Sequence, residues 1–367
     1  MKVLILNWRD IKNPSSGGAE ILTHEIAKGL VNRGHDVWQI SALFNGAKKK
    51  EKIDGVVIER GGHPDARTLF HSVQYFAYKK YKEQFREKVD LVIDEIHGVP
   101  FFTSFYVKEK KLALICEVAG ELWDIAVLPP FNFFGKFIEK IYPKFYQNLP
   151  ILTISNSSKN ELVKLGFKSS KIKILPMGTD SQIVSKPKKE KTPTLIFLSR
   201  ISKSKGVEDA IKSIAILKNE FSDIALWIVG RGDDTYLKEL AHLVIKLNIQ
   251  KNIKFLGFVT EKEKSNLLQK AHILITSSTK EGWGLTVHEA GAKMTPVVSY
   301  NVPGLRDVVK NKISGIITSE NTPESLAKTL KRVLENKIVY QKLQRGALNE
   351  RNKHDWKNTI DYLLTII

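Results

Sequence analysis

The chain has 367 residues, and its 58 lysines and arginines against 39 aspartates and glutamates give a formal net charge of +19. One cysteine, Cys116, excludes an internal disulfide, and no run reaches the roughly 18 apolar residues of a transmembrane helix, so a cytoplasmic protein is expected. The length exceeds what one hydrophobic core usually serves and predicts two domains of about 150–200 residues each.

Apolar runs of strand length recur along the first half, at 3–6, 37–40, 91–93 and 151–154, and helical patterns separate them. This alternation is typical of a parallel, doubly wound sheet. After the first strand, Gly17 and Gly18 precede a predicted helix over 19–33. Glycines there suit close approach to a phosphate, because no Cβ intervenes and positive φ is accessible; a flexible turn is the alternative.

Two segments of the first half, 71–88 and 130–145, interleave aromatic residues with lysine and arginine. Such segments resemble interfacial helices and favour an anionic membrane surface as a partner. The residues expected to face it are Phe131, Phe133, Phe134, Lys136 and Lys140. The alternative is core packing by Tyr75, Phe76, Phe85, Phe134, Phe137 and Ile141. No RNP-like or zinc-finger pattern is present, so nucleic acid is not an expected partner.

The polar stretch 181–193 has two prolines and several lysines but no apolar periodicity. It predicts a linker between an N-terminal domain, 1–180, and a C-terminal domain, 194–353. Strand-like runs return at 195–198, 225–229 and 273–275. The final segment, 354–367, has apolar residues at helical spacing, and a helix packed on its own domain is one interpretation.

Two cations, Arg200 and Lys205, lie in the loop after the predicted strand 195–198. Positive side chains at the end of a strand suit a diphosphate, although a solvated lysine-rich face is the alternative. No Asp-x-Asp pair follows a strand where it could hold a divalent cation on that diphosphate. We therefore expect no metal, with the cationic side chains taking its role.

The segment 281–291, EGWGLTVHEAG, places Glu281 in a glycine-containing loop and Glu289 in the first turn of a predicted helix. Backbone amides near Leu285 and Thr286 would lie at the positive end of the helix dipole and suit a diphosphate. Glu289 could accept hydrogen bonds from a ribose, and Glu281 could reach a sugar hydroxyl. Ordinary helix capping is the alternative interpretation.

Taken in order, these motifs resemble the retaining nucleotide-sugar glycosyltransferases of family 4, also called glycosyl transferases group 1. The resemblance spans nearly the whole chain and includes the segments 16–20, 175–180, 229–232 and 255–258. It implies the GT-B fold, in which two Rossmann-like, doubly wound α/β domains face each other across a cleft. It also implies that the helix in 354–367 crosses back to the N-terminal domain.

The resemblance implies a role for each matching residue. Arg200 and Lys205 would neutralise the diphosphate and Glu281 would hold the donor sugar, which makes these three the expected catalytic residues. Glu289 would bind the ribose, and Gly17 and Gly18 would approach the diphosphate from the opposite domain. The other expected donor-binding residues are Gly230, Gly257, Phe258, Val259, Trp283, Gly284, Leu285 and Thr286.

One departure concerns a histidine that many family members place near the donor sugar. In this chain the corresponding segment, 112–124, has Cys116 and Glu117 at the expected position. His97 is a nearby alternative, although a lone histidine at a strand end is often a surface or hydrogen-bonded core residue. Glu117 and Glu121 could instead meet the acceptor.

The resulting hypothesis is transfer of a sugar, a hexose type, from a nucleoside diphosphate sugar to a lipid-linked or glycan acceptor at the inner face of the cell membrane. The resemblance implies a front-face route in which the leaving phosphate helps deprotonate the acceptor. No cofactor is expected. Alternatives are a nucleotide-sugar epimerase or phosphorylase of the same fold, and a non-catalytic protein that binds nucleotides or polyanions.

Overall fold

A computed structural model of the chain describes residues 1–63, 71–121, 123–124 and 129–367. The described chain divides into two compact units. Unit 1 comprises Met1–Gly178 together with Trp356–Ile367, and unit 2 comprises Thr179–Asp355. The chain therefore passes between the units twice, at 178/179 and again at 355/356.

Unit 1 alternates strands with helices from its first residues. Its strands are β1 (Lys2–Leu6), β2 (Asp36–Ser41), β3 (Lys50–Ile53), β4 (Val56–Arg60), β5 (Leu91–Glu95), β6 (Lys110–Leu114), β7 (Ile151–Thr153) and β8 (Ile172–Ile174). Its helices before the first crossing are α1 (Gly18–Val31), α2 (Val73–Lys80), α3 (Thr103–Tyr106), α4 (Phe131–Ile141), α5 (Pro143–Tyr146) and α6 (Asn156–Leu165).

Within the described residues, the strands of unit 1 form one sheet in the order β3-β4-β2-β1-β5-β6-β7-β8. Neighbouring strands are parallel except for β3, which pairs antiparallel with β4 at the edge. Val3, Leu4, Ile5 and Leu6 of β1 are fully buried, as expected where helices cover both faces of a parallel sheet. The strand order reverses between β1 and β5, and ligands of such sheets bind outside the carboxyl ends at that point.

Unit 2 repeats this architecture. Its strands are β9 (Thr194–Leu198), β10 (Ala225–Val229), β11 (Ile253–Gly257), β12 (Ile273–Thr276), β13 (Val297–Ser299) and β14 (Gly315–Ile317). Its helices are α7 (Val207–Leu217), α8 (Asp234–Lys246), α9 (Glu261–Lys270), α10 (Leu285–Gly291), α11 (Leu305–Val308), α12 (Pro323–Glu335) and α13 (Lys337–Arg351). The described strands are parallel in the order β11-β10-β9-β12-β13-β14, so the order reverses between β9 and β12.

The stretch 181–193, predicted to be a linker, packs along unit 2. The amide of Val184 donates to the carbonyl of Ala292 at 2.8 Å. The ammonium of Lys189 donates to the carbonyl of Ala271 at 2.7 Å and to Thr295 Oγ1 at 2.6 Å, next to the end of α9. Burial lowers the pKa of Lys189 to about 7. Polar contacts of this kind leave no apolar periodicity in the sequence, and for this reason the sequence predicted a linker here.

The last helix, α14 (Trp356–Leu364), belongs to unit 1. It buries Trp356, Ile360 and Leu363. A Cβ added at Gly29 of α1 would lie 2.4 Å from Ile360 Cγ1, so only glycine at that position lets the two helices approach this closely. Arg33 at the end of α1 forms an ion pair with Asp361. The C-terminal segment is thus a structural part of the first unit.

The two aromatic and basic segments differ in burial. In 71–88, Phe85 is buried in one apolar cluster with Val73, Ala77 and Tyr81, whereas Tyr75 and Phe76 are half-buried. Core packing is wrong for the second segment, because four phenylalanines of α4 are exposed. Their exposed fractions are 54% for Phe131, 63% for Phe133, 62% for Phe134 and 60% for Phe137. No helix in the described part of the chain has the length and apolar character to span a membrane.

Candidate functional site

Two loops of unit 2 meet where its strand order reverses, one after β9 and one after β12. The amide of Thr279 donates to the carbonyl of Ser204 at 2.9 Å, and Ser277 Oγ donates to the carbonyl of Gly206 at 2.7 Å. Gly206 has φ +70°, and a Cβ there would lie 2.0 Å from the Ser277 carbonyl oxygen. Glycine is therefore required for the loops to be joined in this way.

This junction brings Lys205 and Glu281 together. Lys205 Nζ lies 2.6 Å from Glu281 Oε1, which also accepts a hydrogen bond from Ser278 Oγ at 2.9 Å. Both side chains are mostly buried, with 16% and 20% of their surfaces exposed. Arg200 lies at the end of β9, is exposed, and has no ion pair or hydrogen bond among the residues described. Two of the three expected catalytic residues are thus in contact, and the third lies at the same sheet edge.

Glu289 lies one turn further into its helix than the sequence indicated. Helix α10 begins at Leu285, so Glu289 is its fifth residue and not part of its first turn. Its carboxylate forms an ion pair with Lys264 of α9 at 2.8 Å. Burial lowers the pKa of Lys264, but Glu289 and Glu261 outweigh this effect and raise it. Sequence analysis missed Lys264, because only the packing of α9 against α10 brings the two residues together.

The loop before α10 contains a glycine at positive φ and a tryptophan that packs against two histidine rings. Gly284 has φ +93° and immediately precedes Leu285 and Thr286 of the helix. The Trp283 ring lies 5.7 Å from the rings of both His288 and His354. Burial, followed by the positive charges of nearby groups, lowers the pKa of His288 to about 3. A neutral His288 therefore packs beside the loop that was predicted to bind the donor.

The expected donor-binding residues Gly230 and 257–259 lie at the carboxyl ends of β10 and β11. The amide of Gly230 donates to the carbonyl of Gly257 at 2.8 Å, which joins these strand ends. Phe258 is 66% exposed, Val259 is half-buried, and the guanidinium of Arg231 lies 4.0 Å from the centre of the Phe258 ring. An exposed aromatic ring next to a cation offers a stacking surface for a planar base.

In unit 1, Gly17 and Gly18 lie at the start of α1, as expected, but the local geometry differs from the prediction. Gly17 has φ −144°, so the left-handed conformation is not used there. Its amide donates to Glu20 Oε2 at 2.6 Å. The amide that was expected to approach a phosphate is therefore already bound to a buried carboxylate of its own helix.

His97 follows β5 at the point where the strand order of unit 1 reverses. Its ring stacks on Trp8, which follows β1, with centroids 4.9 Å apart and planes 21° apart. The guanidinium of Arg9 lies 3.8 Å from the Trp8 ring centre. His97 Nδ1 is 3.8 Å from Oε1 of Glu95. The sequence indicated His97 but not Glu95 and Trp8, which lie next to it, or Arg9, which lies over the Trp8 ring.

The segment that departs from the family pattern follows β6. Cys116 is a free, buried thiol, and burial together with nearby carboxylates raises its pKa. Glu117 is half-buried and Glu121 is exposed. The amides of Ala119 and Gly120 donate to the carboxylate of Glu139 at 2.7 Å and 2.8 Å. Cys116 is unsuited to proton transfer near neutral pH, because its thiolate form is disfavoured.

A metal centre is not visible in the described side chains. In that part of the chain no three or more histidine, cysteine, aspartate or glutamate side chains are grouped so that they could hold a metal ion. Arg200, Lys205 and Glu281 lie in the two loops at the reversal point of unit 2, and two of these three are cationic. This charge arrangement suits an anionic group of a ligand.

Solved structures of known proteins superpose on this chain over its full length. Sucrose-phosphate synthase from Thermosynechococcus elongatus superposes with a TM-score of 0.84 at 16% identity, covering 100% of this chain and 98% of that one. Anabaena HepE, solved in complex with UDP-glucose, gives a TM-score of 0.75 at 16% identity, covering 100% of both chains. The expected GT-B fold, built from two Rossmann-like α/β domains, is confirmed.

Similarity in sequence also extends over the whole chain. An uncharacterized glycosyltransferase of Methanocaldococcus jannaschii is 25% identical over 388 residues, covering 98% of this chain and 95% of the relative. The model of Glycosyltransferase Family 4 matches residues 16–183, and that of Glycosyl transferases group 1 matches residues 179–350. The two models together match residues 16–350, and the chain therefore belongs to the glycosyltransferases that these two models describe.

Proposed function

We propose that this glycosyltransferase transfers a hexose from a nucleoside diphosphate sugar to an acceptor hydroxyl with retention of the anomeric configuration. The proposal rests on the contact of Lys205 with Glu281 at the reversal point of unit 2, with Arg200 at the end of β9 on the same sheet edge. Glycosyl transfer from such a donor releases a nucleoside diphosphate. The leaving group gains negative charge as the glycosidic bond breaks, and preorganised cations there lower the barrier.

In this proposal the donor changes the partners of Lys205. Its ammonium lies 2.6 Å from Glu281 Oε1 in the structure, and a bound diphosphate would compete for that charge. Arg200 is exposed and can form a bidentate contact with a phosphate. Glu281 then accepts from a hydroxyl of the transferred sugar, and Glu289 accepts from the ribose.

Unit 2 also provides the surface on which the nucleobase stacks and the positive charge that makes a metal unnecessary. The Phe258 ring and the Arg231 guanidinium provide a face on which the base stacks. Arg200 and Lys205 supply the positive charge that a divalent cation supplies in other phosphate-binding sites, so transfer proceeds without a metal. A front-face route, in which the leaving phosphate accepts the acceptor's proton, needs no side-chain nucleophile.

The acceptor is lipid-linked in this proposal, and unit 1 reaches it at an anionic membrane surface. Helix α4 buries Asn132, Gly135 and Glu139 and exposes its phenylalanines, which is the reverse of a helix that packs its apolar face inward. Lys140 of α4 and Lys144 of α5 are exposed in the same stretch. Exposed aromatic rings with flanking lysines are typical of helices that bind the headgroup region.

A panel of nucleoside diphosphate sugars, scored by thermal shift and by nucleotide release, tests the proposal. A donor at 100 times its dissociation constant would stabilise the protein by about 2.7 kcal/mol. The anomeric configuration of the product, measured by NMR, would test retention. Isomerisation of the donor without acceptor would instead identify an epimerase, and phosphorolysis of a glycoside would identify a phosphorylase. Equal stabilisation by unrelated polyanions would identify a binding protein.

A further inference from the structure

A cavity of about 260 Å³ lies between the sheet of unit 1 and the chain that follows α2. The register of β1, β2, β4 and β3 places Lys2, Trp38, Glu59 and Lys50 on the same face of the sheet, where they line the cavity. None of the residues named for the donor or the acceptor lines it. Its volume is close to the lower limit for pockets that hold organic ligands, so it has room for a small molecule.

The wall opposite the sheet is formed by an irregular turn. After α2 the chain continues as a π-helical turn, Tyr81–Phe85. Glu87 follows at φ +61°, a conformation that residues other than glycine and asparagine rarely adopt. Turns of the π-helical kind are rare and occur frequently at functional sites. This one brings Phe85, Lys88 and Val89 to the cavity.

The inner part of the cavity is apolar and aromatic. Phe85 and Val89 are each 6% exposed and belong to an apolar core cluster of unit 1. The half-buried ring of Trp38 packs edge-on against Phe85, with the ring centres 5.8 Å apart. Because Trp38 also lines the cavity, its indole offers a planar apolar surface to a ligand.

The rim of the cavity is positively charged. Lys50 and Lys80 bind the buried carboxylate of Glu59, at 2.7 Å and 2.9 Å. Burial raises the pKa of Glu59, but its hydrogen bonds from these two lysines outweigh that effect and lower it. The side chains of Lys2 and Lys88 are exposed, and neither forms an ion pair with another described residue. The carboxylate in the lining is therefore neutralised, whereas two positive charges remain.

We propose that this cavity binds a small organic anion with a flat apolar body, of the class of the aromatic carboxylates. The ring lies against Trp38 and Phe85, and the anionic group accepts from the ammonium groups of Lys2 and Lys88. Burial of the ring removes apolar surface from water, and charge-assisted hydrogen bonds orient the anion. A neutral aromatic molecule or an inorganic anion has only one of these two features and therefore binds more weakly.

Titration of the full-length protein with 2-naphthoate, followed by NMR, tests the proposal. The indole N–H signal of Trp38, identified by its loss in Trp38→Phe, should shift as the probe is added. The dissociation constant of 2-naphthoate should be about tenfold lower than those of 2-naphthalenemethanol, which has the ring without the charge, and of inorganic phosphate, which has charge without the ring.

The role of the two unpaired lysines is tested by Lys2→Ala with Lys88→Ala. Both side chains are exposed, so the double variant should keep the melting temperature of the wild type. It should bind 2-naphthoate about tenfold more weakly and 2-naphthalenemethanol as the wild type does. The matched control is Lys164→Ala with Lys168→Ala, which removes the same charge from exposed positions elsewhere in unit 1 and should leave the binding of 2-naphthoate unchanged.

Three results would overturn the proposal. The first is an unchanged Trp38 signal at millimolar 2-naphthoate, because the probe would then not enter the cavity. The second is equal weakening of 2-naphthoate binding in both double variants, which would attribute it to net charge. The third is a neutral or inorganic probe that binds as tightly as 2-naphthoate, since one of the two features would then be irrelevant. None of these measurements depends on sugar transfer, so the outcome is independent of the proposed function.

Discussion

Lys205 and Glu281 are 76 residues apart in the sequence, yet their charged atoms lie 2.6 Å from each other. Each is held by its own loop, and the two loops are joined by backbone hydrogen bonds through Ser204 and Gly206. The side chains are thus placed before any ligand arrives. Preorganised charge of this kind costs no reorganisation during the reaction, which is the main requirement for electrostatic catalysis.

Removal of either cation should therefore slow the reaction without unfolding the protein. We expect Lys205→Ala and Arg200→Ala each to lower turnover by about tenfold to a thousandfold, because each removes a charge-assisted contact to the leaving group. Loss of the mostly buried Lys205–Glu281 pair should cost about 1–3 kcal/mol of folding free energy, because Glu281 keeps its hydrogen bond from Ser278 Oγ. Initial rates of nucleotide release, with circular dichroism as the check on folding, measure both effects.

The matched control for these variants is Lys203→Ala. Lys203 lies in the same loop, but its side chain is 72% exposed and its ammonium is 3.8 Å from Glu239. Its removal should leave turnover within about twofold of wild type, as is usual for exposed pairs. Equal activity in all three variants across the donor panel would contradict the assignment of the site.

Chelation of divalent cations should leave turnover unchanged. The positive charge at the reversal point of unit 2 comes from Arg200 and Lys205, which can neutralise a diphosphate themselves. Rates measured in EDTA and in added magnesium or manganese should agree within error. A rate that depended on either cation in the chemical step would require a metal bridge and would reduce the role of the two side chains.

His288 should make unit 2 less stable as the solution becomes acidic. Its pKa is lowered to about 3 in the folded state from 6.5, so between these values the unfolded chain binds the additional proton. The contribution of His288 to the free energy of unfolding is therefore fully present above pH 6.5. Below pH 6.5 the free energy of unfolding falls by about 1.4 kcal/mol per pH unit. Urea unfolding of wild type at pH 7.5 and 5.5 should show this loss, and His288→Asn should not.

His242→Asn is the control for that measurement, since His242 is exposed on α8 and its replacement should keep the wild-type pH dependence. If the free energy of unfolding of His288→Asn fell between pH 7.5 and 5.5 as much as that of the wild type, the titrating group would be a residue other than His288.

At the scale of single elements, helix α4 departs most from ordinary packing. Its inner face is polar, and the carboxylate of Glu139 accepts from the Ala119 and Gly120 amides and from Trp123 Nε1 at 3.1 Å. Its outer face is aromatic. Of the two lysines predicted to meet the membrane, Lys136 forms an ion pair with Asp124 at 2.5 Å, whereas Lys140 is exposed. The unpaired charge of this surface thus comes from Lys140 and from Lys144 of α5.

Binding to vesicles should reflect this distribution of charge. We expect sedimentation with anionic liposomes to exceed that with neutral ones and to weaken as salt rises, because surface attraction decays over about 8–10 Å. Lys140→Ala with Lys144→Ala should weaken binding by about tenfold to thirtyfold, since each lysine contributes about 1 kcal/mol on an anionic leaflet. Donor-induced thermal shifts should be unchanged in this variant.

Lys164→Ala with Lys168→Ala is the matched control, because it removes the same charge from exposed positions elsewhere in unit 1. If both double variants weakened binding equally, net charge and not the α4 surface would explain it. Absence of binding to either kind of vesicle would favour a non-membrane acceptor.

The sequence predicted the buried strands well, because β1, β9 and β12 are short apolar runs whose burial on both faces leaves a direct pattern. It also placed Arg200, Lys205, Glu281 and His97 at strand ends. It could not predict the partners Lys264 and Glu95, since those contacts depend on packing between segments distant in sequence. Helix α4 was ambiguous for a physical reason: an aromatic face has the same period whether it packs inward or outward.

At the scale of the whole molecule, the chain returns to its first unit after completing the second. Helix α14 packs on α1 in unit 1, with Trp356 next to Gly178 and Ile360 against Gly29. The last residues of the sequence are therefore needed for the stability of the first unit. A change in α14 should act on unit 1 and leave the donor-binding residues of unit 2 unaffected.

Ile360→Ala tests this division. The side chain is 1% exposed, and truncation of such a residue leaves a cavity that typically costs about 2–5 kcal/mol. We expect hydrogen exchange to accelerate in α1 and β1 but not in β9 or β12. The rise in melting temperature caused by the donor should be retained. Tyr362→Ala, at a residue 38% exposed on the same helix, should change exchange little. Faster exchange throughout both units would mean that they unfold as one cooperative body, and the separate stability of the donor-binding unit would have to be abandoned.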